Sequence, residues 1–305
     1  MDDSDTEWNR TVPQGATHDP YLPSAASLPP SSSFTGTQKF RVLHLFSGPC
    51  ERKDSLSAYL GAIGVEVTDC DIVNIDLPDQ DILDDSAWLR IRSRLLNGYY
   101  DFVFAGPPCR SFSASRGAGP GPPVLRDCDN LYGFPKSRGA ELGLQAHHFE
   151  QLRKDNLLAE HTAEACDIME SLGKGYCVEQ PVPWGGAVTM FSFASFQNLI
   201  SKGAQIINFD QCMYDGLSKK PTALLFGNSD FTSLVAVCNH PPVEQVDDQG
   251  RRYMAPHPSF VGRKDENGKY LTGTWLLTLP AQLQTGNHHQ PGPSMSVSTT
   301  YHRCR

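Results

Sequence analysis

In Asp101-Phe102-Val103-Phe104-Ala105-Gly106-Pro107-Pro108-Cys109-Arg110-Ser111-Phe112-Ser113 an apolar strand stops at two prolines and hands the chain to a cysteine. Proline fixes φ and has no N–H for a sheet ladder, so the Pro107-Pro108 turn is stiff. The side chain that follows projects from the strand's carboxyl edge, where α/β folds place ligands. A thiol held there is either a nucleophile or a buried turn cysteine, since cysteine is among the most buried residue types.

Working outward, the same grammar repeats. Phe40 to Phe46 reads as a buried strand, broken by Ser47-Gly48-Pro49 before a stretch with Leu56, Leu60 and Ile63 at helical spacing. Val65 to Thr68 is a second short strand, and Trp88 to Leu96 a helix with Leu89, Leu95 and Leu96 as its apolar positions. Downstream of Cys109, residues to about Arg138 turn rich in Gly, Pro, Ser and Arg, as expected of a flexible lid. Residues 156–172 place Leu158, Thr162, Ala165, Met169 and Leu172 on one stripe, and Gly173 is placed to end that helix. The strand Tyr176-Cys177-Val178 then delivers Glu179-Gln180-Pro181 at its end, much as the earlier strand delivers Cys109. A helix near 192–200 and strands at Gln205 to Phe209 and Thr222 to Phe226 follow. Strand and helix alternate, which predicts an α/β fold with a parallel sheet.

A chain of 305 residues can bury a full core, and none of its apolar stretches approaches the roughly 18 residues that cross a bilayer. Asp2, Asp3, Asp5 and Glu7 stand where a signal peptide carries basic residues, so an intracellular place, nuclear or cytoplasmic, is expected, with no membrane partner. The nine cysteines are irregularly spaced, and most read as free thiols. The net charge is −8, but residues 1–38 hold Asp2, Asp3, Asp5, Glu7 and Asp19 against Arg10, which is −4 of it. A local basic face is therefore compatible with the composition, and Arg110, Arg116, Arg126, Lys136 and Arg138 supply one after Cys109. The expected organisation is a disordered tail over 1–38, a main domain over 39–232, a small irregular region over 233–285 and a flexible tail over 286–305.

The ordered series Phe46-Ser47-Gly48, an acid past the second strand, Pro107-Pro108-Cys109 and Glu179-Gln180-Pro181 resembles the cytosine-C5 DNA methyltransferase family. Pro-Pro-Cys-x-Ser-Phe-Ser is its most specific part, and Lys220-Pro221-Thr222 adds a likeness to divergent methylase domains of phages and retroelement-like polyproteins. The resemblance implies a Rossmann-like S-adenosylmethionine-dependent methyltransferase sheet with helices on both faces, acting on cytosine in DNA, with RNA as the near alternative. It implies Cys109 as nucleophile, Glu179 as the partner of cytosine N3, and a cofactor site of Phe46, Ser47, Gly48, Asp71, Asp81 and Pro107, with Asp69 the alternative to Asp71. Nucleic-acid contacts fall to Arg110, Ser113, Arg116, Lys219 and Lys220. The chain departs from the family in Pro49-Cys50-Glu51-Arg52 in place of a glycine pair, in Gln180 in place of asparagine, and in Ser218-Lys219-Lys220-Pro221-Thr222 in place of Gln-x-Arg-x-Arg. These departures keep open a catalytically inactive, retroelement-derived nucleic-acid-binding domain. A cysteine hydrolase, the third class, needs a histidine beside Cys109.

Cys212, Cys238, His240 and His257 contain zinc-ligand residue types, but their spacing matches no standard pattern. They read as surface or packed side chains, and no metal is expected. His147-His148 and His288-His289 read as solvated pairs.

Overall fold

The computed structural model describes residues 39–48, 55–70, 80–113, 116, 122–183, 187–214, 216, 218–247 and 250–258. The expected tails over 1–38 and 286–305 lie outside them, as does Asp71. Six strands form one sheet in the order β2-β1-β3-β4-β6-β5: β1 is Arg41–Leu45, β2 Glu66–Cys70, β3 Phe102–Ala105, β4 Gly175–Pro181, β5 Gln205–Asp210 and β6 Pro221–Gly227. Strands β2, β1, β3 and β4 are mutually parallel, as the alternation predicts. β6 runs against both β4 and β5, so the sheet is mixed. The reversal follows from chain length: only residues 211–220 separate β5 from β6, a span that turns back but leaves no room for a crossover helix.

Side chains alternate across the sheet, and each face has its own cover. Leu43, Leu45, Val103, Ala105, Tyr176, Val178 and Leu225 share one apolar core with Trp88, Ile91 and Leu95 of α2 (Asp85–Leu96), with Leu158, Ala163 and Met169 of α4 (Ala146–Ser171), and with Phe196 and Leu199 of α5 (Ala194–Ser201). On the opposite face Cys177, Ile207, Phe209, Leu224 and Phe226 pack with Phe102, Phe104, Tyr214, Phe231 and Leu234. That cover is made of 3-10 turns, Gln211–Tyr214 and Thr232–Leu234. The short helix α1 (Leu56–Ala62) also lies there, tied through Ser57 to His44 and Asp69.

Two helices depart from expectation. The buried stripe of α2 is Ala87, Trp88, Ile91 and Leu95, while Leu89 and Leu96 face solvent, because i, i+3, i+4, i+7 spacing starts from Trp88. α4 begins ten residues before the apolar stripe does: His148 accepts the N–H of Gln145 at 3.0 Å and caps a first turn otherwise poor in apolar residues. Gly173, at φ 65°, ends it as expected.

The segment expected to be a flexible lid is anchored over residues 122–135. Leu125 and Phe134 join Leu144 and Leu152 in a separate small core. Arg126 is buried, not part of a basic face; its guanidinium stacks 3.9 Å from the Phe112 ring and donates to Leu131 O, Ser111 Oγ and Asn156 Oδ1. The short helix α3 (Lys136–Glu141) follows.

Past β6, β7 (Val243–Val246) and β8 (Arg252–Ala255) form a separate antiparallel hairpin with no buried residue in either strand. Among the described residues no helix is long and apolar enough to cross a membrane. Six described cysteines are free thiols, and Cys128 is disulfide-bonded.

Candidate active site at the switch point of the sheet

The chain leaves β1 for β2 on one side and returns to β3 on the other. Strand order reverses between β1 and β3, and the crevice outside their carboxyl ends is where open α/β sheets bind ligands. Two turns and the end of β4 converge there.

The turn after β1 is Phe46-Ser47-Gly48. Phe46 sits at φ 66° and Gly48 at φ 75°. Glycine takes that conformation freely, but for a bulky aromatic it is strained, of order 1–3 kcal/mol, and must be held by its surroundings. The hold is visible: Phe46 and Ser47 both donate their N–H to Cys70 O, at 2.7 and 3.3 Å, and the Phe46 ring is packed in the main core.

After β3, Gly106-Pro107-Pro108 leads to Cys109, which is half-buried. Phe112 N–H donates to Cys109 O at 2.9 Å and closes the turn. Buried Asp155 of α4 fixes the next two residues, accepting the Ser111 N–H at 3.2 Å and pairing with the Arg110 guanidinium at 3.3 Å. From the other side, Gln180 Nε2 donates to Pro107 O at 2.7 Å and to Glu179 O at 2.9 Å. Asp155 and Gln180 are thus positioning residues; the sequence named Gln180 only as a departure from the family's asparagine and did not single out Asp155. Each leaves one signal: a polar side chain inside an apolar helical stripe, or next to a strand end.

Glu179 lies within β4, which runs on to Pro181 opposite Thr222, and not beyond the strand's end. Its carboxylate faces the Cys109 turn: a Cβ built on Gly106 would lie 3.9 Å from Glu179 Oε2. Lys220, one residue before β6, reaches across and places Nζ 3.1 Å from Glu179 Oε1, with both side chains largely withdrawn from water at 9 % and 16 % exposure. Cys109 feels all of these groups. Burial pushes its thiol up, Lys220 pulls it back down, and the Glu179 and Asp155 carboxylates add to the upward push, so the net direction is up.

The remaining expected residues scatter. Asp81 spends Oδ1 on the Leu83 N–H at 2.9 Å, in the turn that leads into α2. Asp69 is engaged elsewhere, accepting from Ser57 Oγ and lying 3.0 Å from His44 Nδ1. Burial pushes its carboxyl up, but the hydrogen bonds to His44 and Ser57 and the attraction of His44 outweigh that and hold it below the usual range. Arg116 is turned inward, donating to Arg110 O, Pro123 O and Gln151 Oε1. Lys219 points away from the crevice to Asp210, 3.8 Å away. Lys220 belongs to the crevice itself, not to an outer basic face. Arg110 is half-exposed beside Cys109, and Ser113 half-buried.

Comparison with known proteins finds no matching family model and no matching curated protein. Among solved structures the chain is similar to the Dnmt2 methyltransferase of S. pombe, at 9 % identity and a TM-score of 0.34, over 66 % of this chain and 52 % of that one. It is also similar to the methyltransferase EhMeth of Entamoeba histolytica, at 13 % identity and a TM-score of 0.32, over 64 % of this chain and 55 % of that one. The chain spans about half the length of each.

Proposed function

We propose that this protein transfers a methyl group from S-adenosylmethionine to C5 of cytosine in DNA, with Cys109 as covalent nucleophile. The observation that carries the reading is the meeting of Cys109, Glu179 and Lys220 in one crevice at the switch point, beside the strained Phe46 turn. A sulfur, a carboxylate and an ammonium on neighbouring segments match what cytosine demands. C5 is a poor nucleophile until a thiolate has added to C6.

The cofactor supplies an electrophilic sulfonium methyl. The residues fit it: the Phe46-Ser47-Gly48 turn stands at the carboxyl end of β1, and Gly48 brings backbone close to the crevice without a side chain. Asp71 and Asp81 complete the proposed set, with Pro107 as a wall. For the cytosine, the Cys109 thiolate forms the C6–S bond while the Glu179 carboxyl, in its protonated form, donates a hydrogen bond to N3 and so draws electron density from the ring. C5 of that adduct would then take the methyl group that the bound cofactor would supply, leaving it as S-adenosylhomocysteine. Loss of the C5 proton to a base and cleavage of the C6–S bond return the aromatic ring and the thiolate. Lys220 favours the thiolate at both ends of this cycle. Because an edge-on base in a duplex is out of reach, the cytosine must be flipped out, with Arg110 at the rim placed to hold a phosphate.

The test is covalent trapping on oligonucleotides that contain 5-fluorocytosine, in DNA and in RNA, with isothermal titration of the cofactor alongside. A denaturant-stable adduct on DNA that Cys109→Ser abolishes is expected. An adduct surviving that change reassigns the nucleophile, and an adduct on RNA alone moves the substrate to RNA. Binding of nucleic acid with no uptake of S-adenosylmethionine would leave the inactive-domain reading.

A further inference from the structure

Three segments far apart in sequence bring Cys212, Cys238, His240 and His257 together beyond the edge of the sheet. Cys212 sits in the 3-10 turn after β5, Cys238 and His240 on the loop before β7, and His257 two residues past β8. Their ligand atoms all lie within 4.8 Å of one another. Cys238 Sγ is 3.5 Å from His240 Nδ1 and 3.3 Å from His257 Nε2, and those two nitrogens are 3.2 Å apart. With Zn–S near 2.3 Å and Zn–N near 2.0–2.1 Å, tetrahedral ligands stand about 3.3 Å apart for N and N and about 3.6 Å for S and N. The three separations among Cys238, His240 and His257 lie within about 0.3 Å of those values, and Cys212 stands within 4.8 Å of all three as the fourth ligand.

We propose that Cys212, Cys238, His240 and His257 bind one zinc ion in a closed, four-ligand structural site. Two thiolates and two imidazoles are a borderline-soft tetrahedral set that suits zinc and is wrong for magnesium or calcium, which take oxygen. With all four positions supplied by protein, the ion holds structure and has no open position for catalysis. The surroundings are built to match. Asp210, buried at the end of β5, accepts the Cys238 N–H at 2.7 Å and donates its own N–H to Ala236 O at 2.8 Å, fixing the loop that presents two ligands. Gly216 N–H donates to Gln211 O at 3.0 Å, closing the turn that presents Cys212.

The hairpin explains why an ion is needed there. β7 and β8 bury no residue, and Val243, Val246 and Met254 face water. A two-stranded hairpin of this kind is marginal by itself, and a metal clip is a known remedy where a core is missing. The three ligand-bearing segments join that hairpin to the far edge of the sheet. Irregular spacing in sequence is what such a site produces when its ligands come from three segments and not from one compact knuckle.

Full-length protein, purified in reducing buffer without chelator, is expected to carry about one zinc per chain by elemental analysis. Replacement by cobalt should give thiolate-to-metal charge-transfer and tetrahedral d–d bands. Cys238→Ser and His257→Ala should each lower zinc occupancy several-fold, while His147→Ala, on the remote histidine pair, leaves it unchanged. Chelation should speed amide exchange in residues 236–257 and leave β1, β3 and β4 protected. Metal-free protein from zinc-replete cells with the sheet intact overturns the proposal, as does full zinc in Cys238→Ser or a Cys212–Cys238 disulfide found by thiol counting. None of these readouts depends on methyl transfer.

Discussion

The Cys109 turn and the β7–β8 hairpin are both irregular excursions from the same sheet, yet they are secured by opposite means. The first is embedded: Phe112 lies in the main core, Asp155 and Gln180 grip its backbone from two sides, and Arg126 stacks on its aromatic ring. The second has almost no apolar burial and depends on polar side chains brought together at one point. A reactive group needs its surroundings fixed to fractions of an ångström, which packed hydrocarbon and buried hydrogen bonds provide. A peripheral hairpin needs only to be tethered.

The sharpest way to break this contrast is by truncation. Leu225 in β6 is fully buried, and Leu225→Ala is expected to cost about 2–5 kcal/mol, from lost transfer energy plus the cavity left behind. Val246 in β7 is 55 % exposed, and Val246→Ala should stay within about 0.5 kcal/mol of wild type. Urea unfolding of both variants decides it; equal losses would mean that the hairpin has a core of its own.

Next in size is the grip on the Cys109 turn. Asp155→Ala leaves the Ser111 N–H without its carboxylate and the Arg110 charge without its partner, and should cost about 1–3 kcal/mol. Trapping on 5-fluorocytosine should slow as well, because the turn loses its register. Stability lost with trapping unchanged would make Asp155 a structural residue alone.

These two regions also differ in how far the sequence exposes them. Strand–turn–strand grammar around Phe102–Cys109 and Tyr176–Glu179 singled out the two groups proposed to react, since apolar runs that end in Pro-Pro or in a carboxylate are local signals. The reversed β6 was not legible, because Thr222 to Phe226 is apolar on both faces whichever way it runs. Lys220 was read as a nucleic-acid contact, and only the antiparallel pairing of β4 with β6 shows that it meets Glu179. Cys212, Cys238, His240 and His257 were grouped by residue type but not read as a metal site, because their closeness is a product of the fold and not of spacing.

Lys220 offers a finer probe of the embedded turn. Its charge pulls the Cys109 thiol down against burial, so Lys220→Gln should let the thiol rise further. Thiolate is then scarcer at a given pH, and the pH profile of trapping should move to higher pH. Lys220→Arg keeps the charge and should leave the profile closer to wild type. A profile that moves equally in both variants would trace the effect to side-chain shape and not to charge.

The smallest effect concerns α1, a third segment that buries no residue and is tied to the sheet by a polar contact. Ser57 Oγ donates to Asp69, which also meets His44, and these bonds hold the Asp69 carboxyl below its ordinary value. A carboxyl lowered in the folded state adds stability above its unfolded pKa, near 3.9, and that stability is lost as pH falls through the folded value. Ser57→Ala removes one of the restraining bonds, so the Asp69 carboxyl should drift back up and the acid loss begin at higher pH. At neutral pH the change should cost about 0.5–1.5 kcal/mol. Amide exchange in α1 should rise while β3 and β4 stay protected, which would place α1 with the tethered hairpin; exchange rising across the whole sheet would place it with the embedded turn instead.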